Sequence, residues 1–94
     1  MNRARKFLSE AAAYLELPAD VMAGVPRVEV TGFREFSIEP HKGLMEYEKE
    51  RIIVESSLGR VCLSGKDLTI RLMNSQRITV SGAIYAVELL EERI

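Results

Sequence analysis

This chain predicts a mainly β fold with an N-terminal α-helix, and three observations carry that expectation. Residues 27–94 break into short segments rich in β-branched residues and separated by turn signals. Within them the pattern apolar-x-apolar-Ser/Thr-Gly recurs at nearly regular spacing. Residues 2–17 contain neither Gly nor Pro and are dominated by the helix formers Ala, Leu, Glu, Lys and Arg.

In the N-terminal segment, Ala4, Phe7, Leu8, Ala11 and Leu15 recur at helical spacing and form one apolar stripe. Ala12 and Tyr14 flank it, and Arg5, Lys6, Ser9 and Glu16 fall on the far side. Pro18 ends the helix because it disfavours the α region at Leu17. Pro18 to Gly24 suits one further turn, with Pro at its start and Gly at its end. Pro26 marks a boundary, so the chain divides into an amphipathic helix with a Pro-bounded linker at 1–26 and a β-repeat domain at 27–94. Arg3, Arg5 and Lys6 beside Phe7 and Leu8 invite a membrane-surface helix. The stripe is rich in Ala, however, and Glu10 and Glu16 offset the positive charge, so docking on the β domain, over an open end, is the expected role. Glu10 also interrupts any secretory signal core.

The expected strands are Val28–Val30, Phe36–Ile38, Ile52–Val54, Val61–Leu63, Leu68–Leu72, Ile78–Val80 and Tyr85–Leu89. Turn signals between them include Thr31-Gly32, Pro40-His41-Lys42-Gly43, Ser56-Ser57-Leu58-Gly59, Gly65-Lys66-Asp67 and Ser81-Gly82. Gly32, Gly59, Gly65 and Gly82 are thus read as structural turn glycines. Val28-Glu29-Val30-Thr31-Gly32, Val61-Cys62-Leu63-Ser64-Gly65 and Ile78-Thr79-Val80-Ser81-Gly82 share one form, and Met45-Glu46-Tyr47-Glu48-Lys49 supplies a fourth copy without its glycine. Four units of about 17 residues follow, starting at Val28, Met45, Val61 and Ile78. Stacked as parallel rungs they make a small β-solenoid or roll, with ladders such as Val28/Met45/Val61/Ile78. Used as hairpins, the same turns make an antiparallel β-meander sandwich or barrel. Regular spacing favours the solenoid.

Composition narrows the function classes. Ninety-four residues make one domain, and 47% hydrophobic with 29% charged residues describes an ordinary globular chain. Thirteen Lys and Arg against fourteen Asp and Glu leave a net charge of −1, without the basic excess of a nucleic-acid binder. One Cys permits neither an internal disulfide nor, alone, a zinc site. No apolar run reaches the roughly 20 residues of a transmembrane helix.

No catalytic constellation is expected, and no cofactor. His41 is the single His, which excludes a two-histidine metal motif. Cys62 with His41 would be a nucleophile–base pair, but Cys62 lies mid-strand, where a free Cys packs as a small hydrophobe. Glu46, Glu48 and Glu50 would offer three carboxylates on one strand face; a charged hairpin edge that discourages strand pairing is the simpler reading. Glu39-Pro40-His41-Lys42-Gly43 is the most distinctive local string, a turn whose Glu39, His41, Lys42 and Gly43 form a candidate interaction site.

The order of these features resembles the YabP/YqfC family of sporulation proteins, nearest its YqfC branch, from about Leu17 to Leu89. The resemblance is carried by Leu17-Pro18-Ala19-Asp20-Val21, Pro26-Arg27-Val28, Thr31-Gly32 and Ile38-Glu39-Pro40-His41-Lys42-Gly43-Leu44 with Tyr47. Ser57-Leu58-Gly59, Leu63-Ser64-Gly65-Lys66-Asp67-Leu68 and Val80-Ser81-Gly82 complete it. The family usually has Asn where Pro40 stands here. The resemblance implies a non-catalytic protein of the mother cell of a sporulating bacterium, cytoplasmic and peripheral to the forespore outer membrane. Together with a β domain whose open strand edges can accept another strand, it points to an assembly or adaptor factor with protein partners, a YqfD-like sporulation membrane protein among them. A self-assembling structural β protein of the spore envelope, and hence a homo-oligomer, is the alternative.

Overall fold

A computed structural model describes residues 24–92. The helix expected over 2–17 lies outside the described residues. Six strands follow in order: β1 (Arg27–Thr31), β2 (Glu35–Glu39), β3 (Gly43–Tyr47), β4 (Arg51–Glu55), β5 (Gly59–Met73) and β6 (Ile78–Glu91). They form one sheet in the order β1-β2-β6-β5-β4-β3, antiparallel at every step and not closed into a barrel.

The parallel solenoid rungs expected from the repeat do not form, and the antiparallel alternative is the nearer description. Val28 lies opposite Ile38, not Met45. The reason is the turn chemistry. Gly32 and Phe33 have φ of 57° and 56°, and the Arg34 amide donates to the Thr31 carbonyl at 3.1 Å. Two central residues at positive φ make the tight turn that suits strand twist and sends the chain straight back along itself.

The repeat nonetheless has a structural counterpart. Val61-Cys62-Leu63-Ser64-Gly65 and Ile78-Thr79-Val80-Ser81-Gly82 each pair with the inner strand of a hairpin. Ile52 and Val54 lie opposite Leu63 and Val61, while Phe36 and Ile38 lie opposite Val80 and Ile78. Beyond each glycine the strand continues past a bend, so four expected strands fuse into β5 and β6. The hairpin loops make this continuity possible by satisfying backbone amides at the bends. Gly65 and Leu68 donate to the Glu50 and Lys49 carbonyls, and Gly82 and Ile84 donate to those of Arg34 and Phe33. Register shifts between Ser64 and Gly65, Lys66 and Thr69, and Ile70 and Leu72 bend the β5–β6 ribbon.

Bending folds the sheet over a single core. Phe36, Ile38, Ile52, Val54, Val61, Leu63, Leu68, Ile78, Val80 and Ile84 form one buried cluster drawn from β2, β4, β5 and β6. Because β2 reaches only Ile78–Ser81 and β4 only Arg60–Ser64, the far halves of β5 and β6 each have one free edge. One of the two seams this creates is bridged: the Ile70 amide on β5 donates to the Tyr47 hydroxyl on β3 at 3.1 Å. The other, between β1 and the end of β6, stays open.

Candidate interaction surface

The Glu39–Gly43 string connects β2 to β3, and its groups are engaged in holding that connection. The Glu39–Pro40 peptide is cis. The His41 amide donates to the Gln76 carbonyl at 3.1 Å, and its Nε2 lies 2.7 Å from the Asn74 carbonyl oxygen. A carbonyl only accepts, so His41 carries its proton on Nε2, and its Nδ1 is buried with no partner. Asn74 Oδ1 in turn accepts from the Gln76 and Arg77 amides, fixing the β5–β6 turn on which His41 rests. The Lys42 amide donates to Glu55, and its side chain is exposed; Gly43 opens β3. Glu39 lies 3.5 Å from Arg77 as an exposed ion pair.

The remaining sequence candidates do not converge. His41 and Cys62 sit at opposite ends of β5, the former against the turn after Met73 and the latter near its start. Cys62 is free and buried on the face opposite the core, between Ile53 and Glu88 on the neighbouring strands. Glu46, Glu48 and Glu50 do not share a strand face, because β3 ends at Tyr47. Glu46 Oε2 is 3.2 Å from Arg51 Nε, an ion pair without hydrogen-bond angles, whereas Glu48 and Glu50 contribute backbone groups in the loop. Among the described residues no group of three or more His, Cys, Asp and Glu could hold a metal ion.

The glycines differ in role. Gly32 occupies the β1–β2 turn, whereas Gly59 begins β5. Gly65 and Gly82 lie inside β5 and β6, where a Cβ on Gly65 would overlap the Ala83 carbonyl oxygen and one on Gly82 would stand 2.7 Å from that of Asp67.

Two apolar features were not anticipated from the sequence. Phe33 stands at the tip of the β1–β2 hairpin, 76% exposed, and its carbonyl accepts from Ile84 beside Tyr85, itself 69% exposed. The open seam forms a groove of about 400 Å³ whose apolar wall is Pro26, Val28, Leu58, Val61, Leu89 and Leu90. Phe33 was hidden because it follows the Thr31-Gly32 signal and reads as loop. Leu89 continues the alternation of Val87 and reads as a core residue, yet it is 68% exposed beside the open seam.

The fold is that of a small, open, mainly antiparallel β domain with exposed apolar features at a turn and a seam. The sequence profile of the YabP family matches residues 23–94, and the chain belongs to the YabP/YqfC family. It is 31% identical to the Bacillus subtilis (strain 168) protein YqfC over 90 residues, 96% of this chain and 94% of that protein. No solved structure matches it.

Proposed function

We propose that this chain is a non-catalytic sporulation protein of the mother cell, an assembly or adaptor factor at the developing spore membrane or envelope. Family membership supports the sporulation context. The observation that carries the adaptor role is Phe33. A bulky residue at φ 56° is strained, and an aromatic ring exposed to 76% gains little packing in return. Such strain at a turn tip, with Tyr85 nearby, suits a contact made with another protein, since exposed aromatics are frequent anchors of interfaces. In this reading the chain acts from the cytoplasmic side, peripheral to the forespore outer membrane, and its partner is a YqfD-like sporulation membrane protein. No helix among the described residues is long and apolar enough to cross a membrane. The self-assembling alternative draws less support, because β1 and β3 are five-residue edges carrying Arg27, Glu29 and Glu46.

The test follows a fluorescent fusion in sporulating cells. Recruitment to the engulfing membrane that needs the neighbouring membrane protein, and that fails for Phe33→Gly, is the expected result. A diffuse wild-type signal, or recruitment indifferent to both changes, would reject the reading.

A further inference from the structure

The open seam between β1 and residues 86–91 of β6 presents Pro26, Val28, Leu58, Val61, Leu89 and Leu90 to a groove of about 400 Å³. Apolar surface of this kind favours being covered. Residues 1–23 join the described fold at this groove. Ser57 Oγ donates to the Gly24 carbonyl, Leu58 lines the groove, and Pro26 is part of its wall. The same 23 residues carry the stripe Ala4, Phe7, Leu8, Ala11 and Leu15, with Arg5 and Lys6 on the far side. Glu91 lies on the groove rim with Arg60, so the wall is predominantly apolar rather than of one charge. A second copy pairing through the same β6 edge would set Glu88, Glu91 and Glu92 against a like-charged strand, which disfavours it.

We propose that the groove is the seat of the chain's own residues 1–23, with Phe7, Leu8 and Leu15 against Val28, Leu58 and Leu89. Tethering at Gly24 raises the local concentration of the segment to the millimolar range, so contacts too weak to hold a separate molecule suffice.

Cysteine pairs in the full chain test this, with Cys62→Ala removing the native thiol. Oxidation should join Leu8→Cys to Leu89→Cys within one chain, at least about fivefold faster than it joins Lys6→Cys to Leu89→Cys, because a disulfide needs Cα atoms within about 7 Å. Equal rates for the two pairs, or a bond formed only between chains, would overturn the proposal, the latter in favour of a second copy. Leu89→Asp supplies a second reading, since this side chain is 68% exposed and outside the buried cluster. It should speed trypsin cleavage after Arg3, Arg5 and Lys6 by about tenfold while the exchange of core amides stays unchanged. Unaltered cleavage would overturn the assignment.

Discussion

Phe33 and the glycines show how much of this protein's character rests on single backbone positions. A left-handed conformation costs an L-residue about 1–2 kcal/mol, and Phe33 has little burial to offset it. Phe33→Gly should therefore stabilise the domain by about 1 kcal/mol, seen as a higher urea midpoint at constant slope. A lower midpoint would mean that the ring packs against the fold after all. Gly32 and Gly65 end copies of the same pattern, yet their substitutions should differ. At Gly32 nothing stands within 4 Å of an added Cβ, so Gly32→Ala meets only the left-handed penalty, about 1 kcal/mol. At Gly65 the added carbon meets backbone that cannot move without breaking the β5–β6 ladder, and the cost should reach about 2–4 kcal/mol. Denaturation midpoints that rank the two variants the other way would contradict the close approach to Ala83.

At the level of elements, the decisive contacts run between strands that are not neighbours in the sheet. The Tyr47 hydroxyl accepts the Ile70 amide and closes one seam. Tyr47→Phe removes that acceptor and should cost about 1 kcal/mol, with faster hydrogen exchange localised at Ile70. Exchange at Ile70 that is unchanged would show that the seam closes without the hydroxyl. The β2–β3 connection is secured by His41 through Asn74 and Gln76, whereas the Lys42 side chain is exposed. His41→Ala should cost about 1 kcal/mol and Lys42→Ala no more than about 0.5 kcal/mol. Four ion pairs occur among the described residues, all at least partly exposed, and they add little by comparison.

Across the whole molecule, stability rests on a core of ten buried side chains shared by the two arms of the folded sheet. Leu63 is fully buried within it, so Leu63→Ala should cost about 3 kcal/mol, a large part of what a domain of this size possesses. Tyr85→Ala, at an exposed position, should change stability by less than about 0.5 kcal/mol. Equal denaturation midpoints for these two variants would be inconsistent with a core on one face of each arm.

Much of this was legible beforehand. Alternation identified Phe36, Ile38, Ile52, Val54, Val61, Leu63, Ile78 and Val80 as strand residues, because a strand's period of two is written directly in the order of side chains. Two copies of the repeat, those ending at Gly65 and Gly82, fall where β5 and β6 bend, although the stacked units expected from it do not form. Strand direction was not legible, since apolar-x-apolar-Ser/Thr-Gly reads alike in a parallel rung and an antiparallel ladder. Nor could local patterning tell that Gly32 turns the chain while Gly65 and Gly82 only bend it. That difference arises because hairpin loops distant in sequence supply the carbonyls that let β5 and β6 run on. The surfaces left for partners were likewise settled in three dimensions: Leu89 and Val61 carry similar side chains, but a facing strand covers one and not the other. Sequence by itself determined which residues form most of the strands, because alternation is a local property of the chain. Direction, burial and the open seam were decided by tertiary structure, since each depends on which non-adjacent segment arrives to complete an edge.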